Sequence, residues 1–262
     1  MRLDRRVIRR IGAGSWLAVL LPWLFGCAAT LPPQACAVPG MQIHTASSPA
    51  ATREIRDDAQ RYLAGLEDYL RVRARPVDML RVVHFRSRWD LWGYLSRESP
   101  PYRWRRGACF ETPDGLTLAV SGNPGSKEFH RLLRHELTHA FLASRYRDFP
   151  PWIDEGLAQV LSAGPPFPRP GSSPPHPVES DRCERLPNGC LELLAAPPGE
   201  KLTRAQCRQA SALTAALIAR SDDALSRLER FLEISSSQRD PAEAFKDAWG
   251  LPFEQACVLD RS

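Results

Sequence analysis

The sequence predicts an α+β fold, with a small β-sheet in the first half and a helical second half. Three observations lead there. β-rich apolar runs occur at 79–85 and on either side of Pro113-Asp114-Gly115, an amphipathic segment precedes them, and helix-forming sequence dominates from residue 126 onward. Strands gathered first and helices gathered later indicate segregated layers rather than an alternating βαβ chain.

The elements follow in order. Residues 28–52, AATLPPQACAVPGMQIHTASSPAAT, are rich in Pro, Ser, Thr and Ala and read as a flexible tether. In 53–74, Ile55, Ala59, Tyr62, Leu63, Leu66, Tyr69 and Leu70 recur at three and four residues, predicting an amphipathic helix. MLRVVHF (79–85) is a strand, and RWDLWGYL (88–95) a short helix expected to turn its two tryptophans inward. RGACFETPDGLTLAVSG (106–122) predicts a hairpin about Pro113-Asp114-Gly115. Helices are expected at 126–145 and 152–163, then, after the Pro-rich 164–179, around 203–219, 223–234 and 241–248.

The 262 residues are enough for one sizeable domain that buries a core without disulfides. The net charge of +5 invites a nucleic-acid reading until it is located. Residues 1–27 hold five arginines and one acid, leaving 30 basic against 29 acidic side chains in 28–262. The body of the chain therefore has no global field to steer a polyanion, and nucleic acid is not an expected partner. PPYRWRRGAC (100–109) reads as a solvated strand edge with stacked arginines rather than a polyanion or peptide contact.

The N-terminus has a basic segment, MRLDRRVIRR, then an apolar run, IGAGSWLAVLLPWLF, too short for an ordinary bilayer span. It ends in Leu24-Phe25-Gly26-Cys27-Ala28-Ala29, which resembles a bacterial lipoprotein signal. The resemblance implies cleavage before Cys27, lipid on Cys27, and a domain anchored in the cell envelope facing the periplasm. Ala28, in place of an acid, is similar to lipoproteins sorted to the outer membrane. Six cysteines remain, Cys36, Cys109, Cys183, Cys190, Cys207 and Cys257, and an even number in an exported chain suggests disulfides, with Cys183–Cys190 the preferred pair.

The chemistry concentrates in Arg134 to Ala158. His135-Glu136-Leu137-Thr138-His139 matches H-E-x-x-H. On a helix of roughly 100° per residue the two histidines lie about 40° apart and one turn along, so both imidazoles reach one ion. Glu136 sits on the shoulder of that face, placed to act on a metal-bound water. Ser126 is the expected N-cap. Leu142 and Arg145 stand where H-E-x-x-H-x-x-G-x-x-H would need Gly and His, so a third histidine ligand fails. Glu155 is the alternative, on a second helix introduced by Pro150-Pro151-Trp152, with Gly156 permitting close helix approach.

HELTHAF followed by PPWIDEGLAQ resembles the gluzincin, thermolysin-like metallopeptidases, closest to the bacterial peptidase MA-like domains, and FLEISSSQRDPAEAFKDAWGLPFEQA resembles their closing helices. The resemblance spans about residues 53–258. It implies a small N-terminal sheet packed on a zincin core, Zn2+ held by His135, His139 and Glu155, Glu136 as general base, and a protein or peptide substrate. Two departures accompany it. Gln159 stands where an acid often supports a histidine ligand, so Asp154 or another group must do so. Downstream of Glu155 there is no tyrosine and one histidine, His176, to stabilise an oxyanion.

The expected function is therefore a lipid-anchored zinc endopeptidase. The alternatives are a zinc-binding envelope lipoprotein without turnover, acting as a scaffold, and a structural lipoprotein with an accidental H-E-x-x-H. His44, His84 and His130 are expected to be structural, and Asp57, Asp58, Glu67, Asp68, Asp222 and Asp223 to be solvated charges on polar helix faces.

Overall fold

The computed structural model describes residues 31–38, 40–71, 79–146, 148–171, 192–194, 196–197, 200–237 and 240–258. Among them the architecture is α+β, as expected. Five strands, β1 (Gln34–Val38), β2 (Met41–Thr45), β3 (Leu80–Phe85), β4 (Gly107–Thr112) and β5 (Gly115–Ser121), form one mixed sheet in the order β1-β2-β3-β5-β4. The central β2, β3 and β5 run parallel, and each edge strand is antiparallel to its neighbour. The expected hairpin is β4–β5, closing at Thr112↔Gly115 with Gly115 at φ 118°.

The tether expectation needs correction, because residues 34–45 are the first two strands and Pro49 already begins a helix. Both strands are short and interrupted by Pro39-Gly40, so neither shows a long apolar alternation. Pairing outside the segment organises them: β2 lies in register with β3 from Met41↔Leu80 to Thr45↔His84. The folded region therefore extends N-terminal to residue 53 and includes β1 and β2.

Helix α1 (Pro49–Leu70) starts with Ser48 accepting from Ala51 N, and it buries Ile55, Ala59, Tyr62, Leu66 and Leu70 on one face. That face packs on one side of the sheet, where Ile43, Val82, Leu118 and Val120 point. Alternate residues Val83 and Ala119 point to the other side and are covered by Leu91, Tyr94 and Leu95 of α2 (Arg88–Glu98). Leu91, Tyr94 and Leu95 define the inward face of α2, so Trp89 falls off it and is 75% exposed, while Trp92 is half-buried. The expectation of two inward tryptophans was wrong for that reason.

The helices that carry the chemistry are α3 (Lys127–Arg145) and α4 (Pro151–Leu161). Ser126 caps α3 by accepting from Phe129 N at 3.2 Å. Behind α4 stand α5 (Arg204–Ala219), α6 (Ala224–Ser235), α7 (Pro241–Trp249) and α8 (Phe253–Val258). Trp152, fully buried near the start of α4, meets Phe231, Phe245 and Phe253 at centroid distances of 5.7, 6.3 and 5.2 Å, which seats α4 on the C-terminal helices.

One acid expected in solvent lies in the interior. Asp58 is 4% exposed and holds Arg134 through two contacts, Nη2–Oδ1 at 2.6 Å and Nε–Oδ2 at 3.1 Å. His130 Nδ1 joins it at 2.9 Å, with Nε2 3.0 Å from Glu54. A buried carboxylate is tolerated only when paired, and this network rivets α1 to α3. Among the described residues Cys36, Cys109 and Cys207 are free thiols. Cys27, His176 and the Cys183–Cys190 pair lie outside the described residues.

Candidate metal centre

Helix α3 is held on both flanks. On one, Thr138 donates to Arg134 O and accepts from the Tyr62 hydroxyl at 2.7 Å. On the other, Leu133, Leu137 and Phe141 enter the main core. The face between them presents His135 and His139, and a reversal through Phe149-Pro150 brings α4 alongside.

The structure brings together the residues the sequence singled out. His135 Nε2 and His139 Nε2 are 3.2 Å apart. Glu155 Oε1 lies 3.7 Å from His135 Nε2, and Oε2 lies 3.8 Å from His139 Nε2. One donor atom from each residue falls within 4.8 Å of the others, two imidazole nitrogens and a carboxylate oxygen converging on one point. That donor set and separation suit a small divalent cation of borderline softness with a coordination position left open.

Asp154 meets the need for a supporting acid. Its Oδ1 accepts from His139 Nδ1 at 2.7 Å, which fixes the tautomer and leaves Nε2 facing the cluster. Burial works against charge on His139, but the Asp154 carboxylate overrides it and holds the ring's pKa up. His135 moves the other way, pushed down by burial and by the charge on His139.

Gln159 serves a different partner from the one its position suggested. Its Nε2 donates to Glu155 Oε1 at 3.0 Å and so orients the carboxylate. The close approach at Gly156 is likewise to α5 rather than α3. A Cβ there would lie 2.1 Å from Thr214 Oγ1 and 2.7 Å from Ala210 O.

Glu136 lines the same cleft as the three donors and lies against edge strand β4. A Cβ on Gly107 would come 2.7 Å from Glu136 Oε1, so glycine there lets the carboxylate lie against the strand backbone. Burial raises its pKa from 4.5 to about 7, with the nearby His139 opposing the rise. A carboxylate poised near neutrality in a cleft suits proton transfer in both directions.

The cleft, about 470 Å³, is lined by the three donors, Glu136 and Asp154, and by groups the sequence reading had not placed there. Tyr102 and Arg105 come from the segment read as a solvated edge, and Lys201 from the start of the C-terminal helical part. Burial pushes the Tyr102 phenol up, so it stays a proton donor at neutral pH. No local signal marks these side chains, because the sheet brings them to α3 from outside the motif. The structural histidines behave as expected: His84 is buried, donating from Nε2 to Gly122 O at 2.9 Å and accepting at Nδ1 from Thr45, and His130 faces Asp58 and Glu54. No protein-family model matches the chain, and no curated protein matches it in sequence.

Proposed function

We propose that the protein is a zinc-dependent endopeptidase, exported by residues 1–27 and held to the envelope by lipid on Cys27. The observation that carries the reading is the convergence of His135, His139 and Glu155 within 4.8 Å, with buried Glu136 adjacent. Zn2+ in such a site would acidify a water and polarise a carbonyl.

The chain's own residues supply the rest. Glu136 accepts the attacking water's proton and passes it to the departing amine, and a pKa near neutrality allows both steps. Asp154 keeps His139 in one tautomer, and Gln159 keeps Glu155 in one rotamer. Arg105 and Tyr102 line the same cleft and offer a cation and a hydroxyl to the charge that develops on the carbonyl oxygen, the role left vacant downstream of Glu155. Strand β4 is an edge of the sheet and also lines the cleft, with one side free of strand pairing among the described residues, which suits an extended polypeptide.

Cleavage of an unfolded protein substrate by the full chain, compared with Glu136→Gln, tests the reading. Turnover by the wild type, lost in the variant and on chelation, supports it. Equal absence of turnover in two proteins that both retain zinc favours a scaffold instead.

A further inference from the structure

Among the described residues, three large apolar side chains are exposed: Leu31 at 40%, Trp89 at 75% and Trp104 at 65%. They are far apart in sequence, yet the sheet gathers them at one end. Thr45 N donates to Pro33 O and His44 Nδ1 meets Pro32 O, so Leu31 sits at the C-terminal end of β2. Strand β3 is parallel to β2, so Arg86 to Trp89 emerge at that same end. Strand β5 is parallel to β3, pairing Phe85↔Ser121, and Ser121 N donates to Arg106 O, so the segment bearing Trp104 returns there too. Trp92 links the patch, with its ring 5.0 Å from Trp89 and 5.1 Å from Trp104, and its Nε1 donating to Arg105 O.

The charge here is one-sided. Residues 86–90 and 103–106 carry five exposed arginines, Arg86, Arg88, Arg103, Arg105 and Arg106, against one acid, Asp90. Residues 28–262 as a whole are almost balanced, 30 basic to 29 acidic, so this is a local concentration. Arg88 lies 5.8 Å from the Trp92 ring centroid and Arg103 lies 5.3 Å from that of Trp104. Exposed tryptophans rimmed by arginines match a bilayer's headgroup layer, where indoles partition and anionic lipid attracts guanidinium.

We infer that this end of the sheet is a membrane-facing surface, seating Trp89 and Trp104 in the headgroup layer of a bilayer that contains anionic lipid. The inference rests on the lipid-anchor reading, and the path of the chain names the occupant. Only residues 28–33 separate Cys27 from β1, an extended reach of at most ~20 Å, and residues 31–33 join β1 at this end. Tyr102 and Arg105 belong to the cleft as well, so its rim lies beside the bilayer and favours polypeptide presented at the membrane surface.

The test uses the full chain reconstituted in vesicles of phosphatidylethanolamine and phosphatidylglycerol, with and without acyl-brominated lipid as a fluorescence quencher. The wild type is compared with a Trp89→Phe, Trp104→Phe double variant, which removes the reporters and keeps the apolar contact. The wild type is expected to show about a twofold larger fractional loss of emission, shrinking when phosphatidylcholine replaces phosphatidylglycerol. Equal losses in proteins that still float with the vesicles overturn the inference while leaving the anchor intact. Failure of the wild type to float overturns both. Shielding of the tryptophans from acrylamide by an unfolded polypeptide, with no brominated-lipid effect, would make the patch a substrate rim and also overturn it. None of these outcomes depends on zinc or turnover, so they are independent of the peptidase reading.

Discussion

Asp154 Oδ1 lies 2.7 Å from His139 Nδ1, on the side of the ring away from the Nε2 that faces His135 and Glu155. The two residues come from different helices, so the contact sets the tautomer of one donor and the pitch of α4 against α3 together. Replacing Asp154 with Asn leaves the packing in place and removes the charge. We expect zinc affinity to fall about 10- to 100-fold with little change in fold, read by competition with a chromophoric chelator. An unchanged affinity would show that His139 needs no such partner. Glu155→Ala should cost more than Gln159→Ala, since the first removes a donor and the second only its orientation.

Glu136 carries a pH signature in the metal-free protein. Its folded pKa is raised from 4.5 to about 7 by burial, so the folded state favours the protonated acid. Its contribution to stability is present below pH 4.5, is lost as pH rises toward about 7, and stays lost above. Glu136→Gln removes that cost. Above about pH 7 the metal-free variant should be more stable than the metal-free wild type by up to roughly 3 kcal/mol, the gap closing below pH 5. Urea denaturation across that range is the measurement, and a gap independent of pH would contradict the burial argument.

Gly156→Ala sets two magnitudes against each other. Helix propensity favours alanine by ~1 kcal/mol, whereas overpacking costs about 1–3 kcal/mol. The Thr214 hydroxyl can rotate away, but the Ala210 carbonyl, 2.7 Å from the added Cβ, belongs to the backbone of α5. Net destabilisation of up to about 2 kcal/mol is expected from the denaturant midpoint, with zinc affinity reduced as α4 shifts.

Arg105→Gln tests the cation over the cleft. If it stabilises charge formed during the reaction, kcat should fall about 100- to 1,000-fold while KM and zinc content stay close to wild type. A rise in KM alone would mark Arg105 as a substrate contact instead.

Much of the site was legible because its signals are local. The histidine spacing, the Ser126 cap and the breaker Pro150-Pro151 each act within a turn or two of chain, and α3 and α4 begin close to where they indicate. What escaped depends on distant partners. Met41–Thr45 is a strand because β3 lies beside it, and Asp58 is buried because Arg134, 76 residues later, meets it. Tyr102 and Arg105 reach the cleft only because the sheet places the β4 edge against α3.

The most direct measurement is the zinc content of the detergent-solubilised full chain after exhaustive dialysis at neutral pH, set beside His135→Ala, His139→Ala and Glu155→Ala. About one equivalent is expected in the wild type and in Glu136→Gln, with large losses in the three donor variants. Less than about one-tenth of an equivalent in a folded wild type, or equal zinc in all five proteins, would contradict a centre built from these donors.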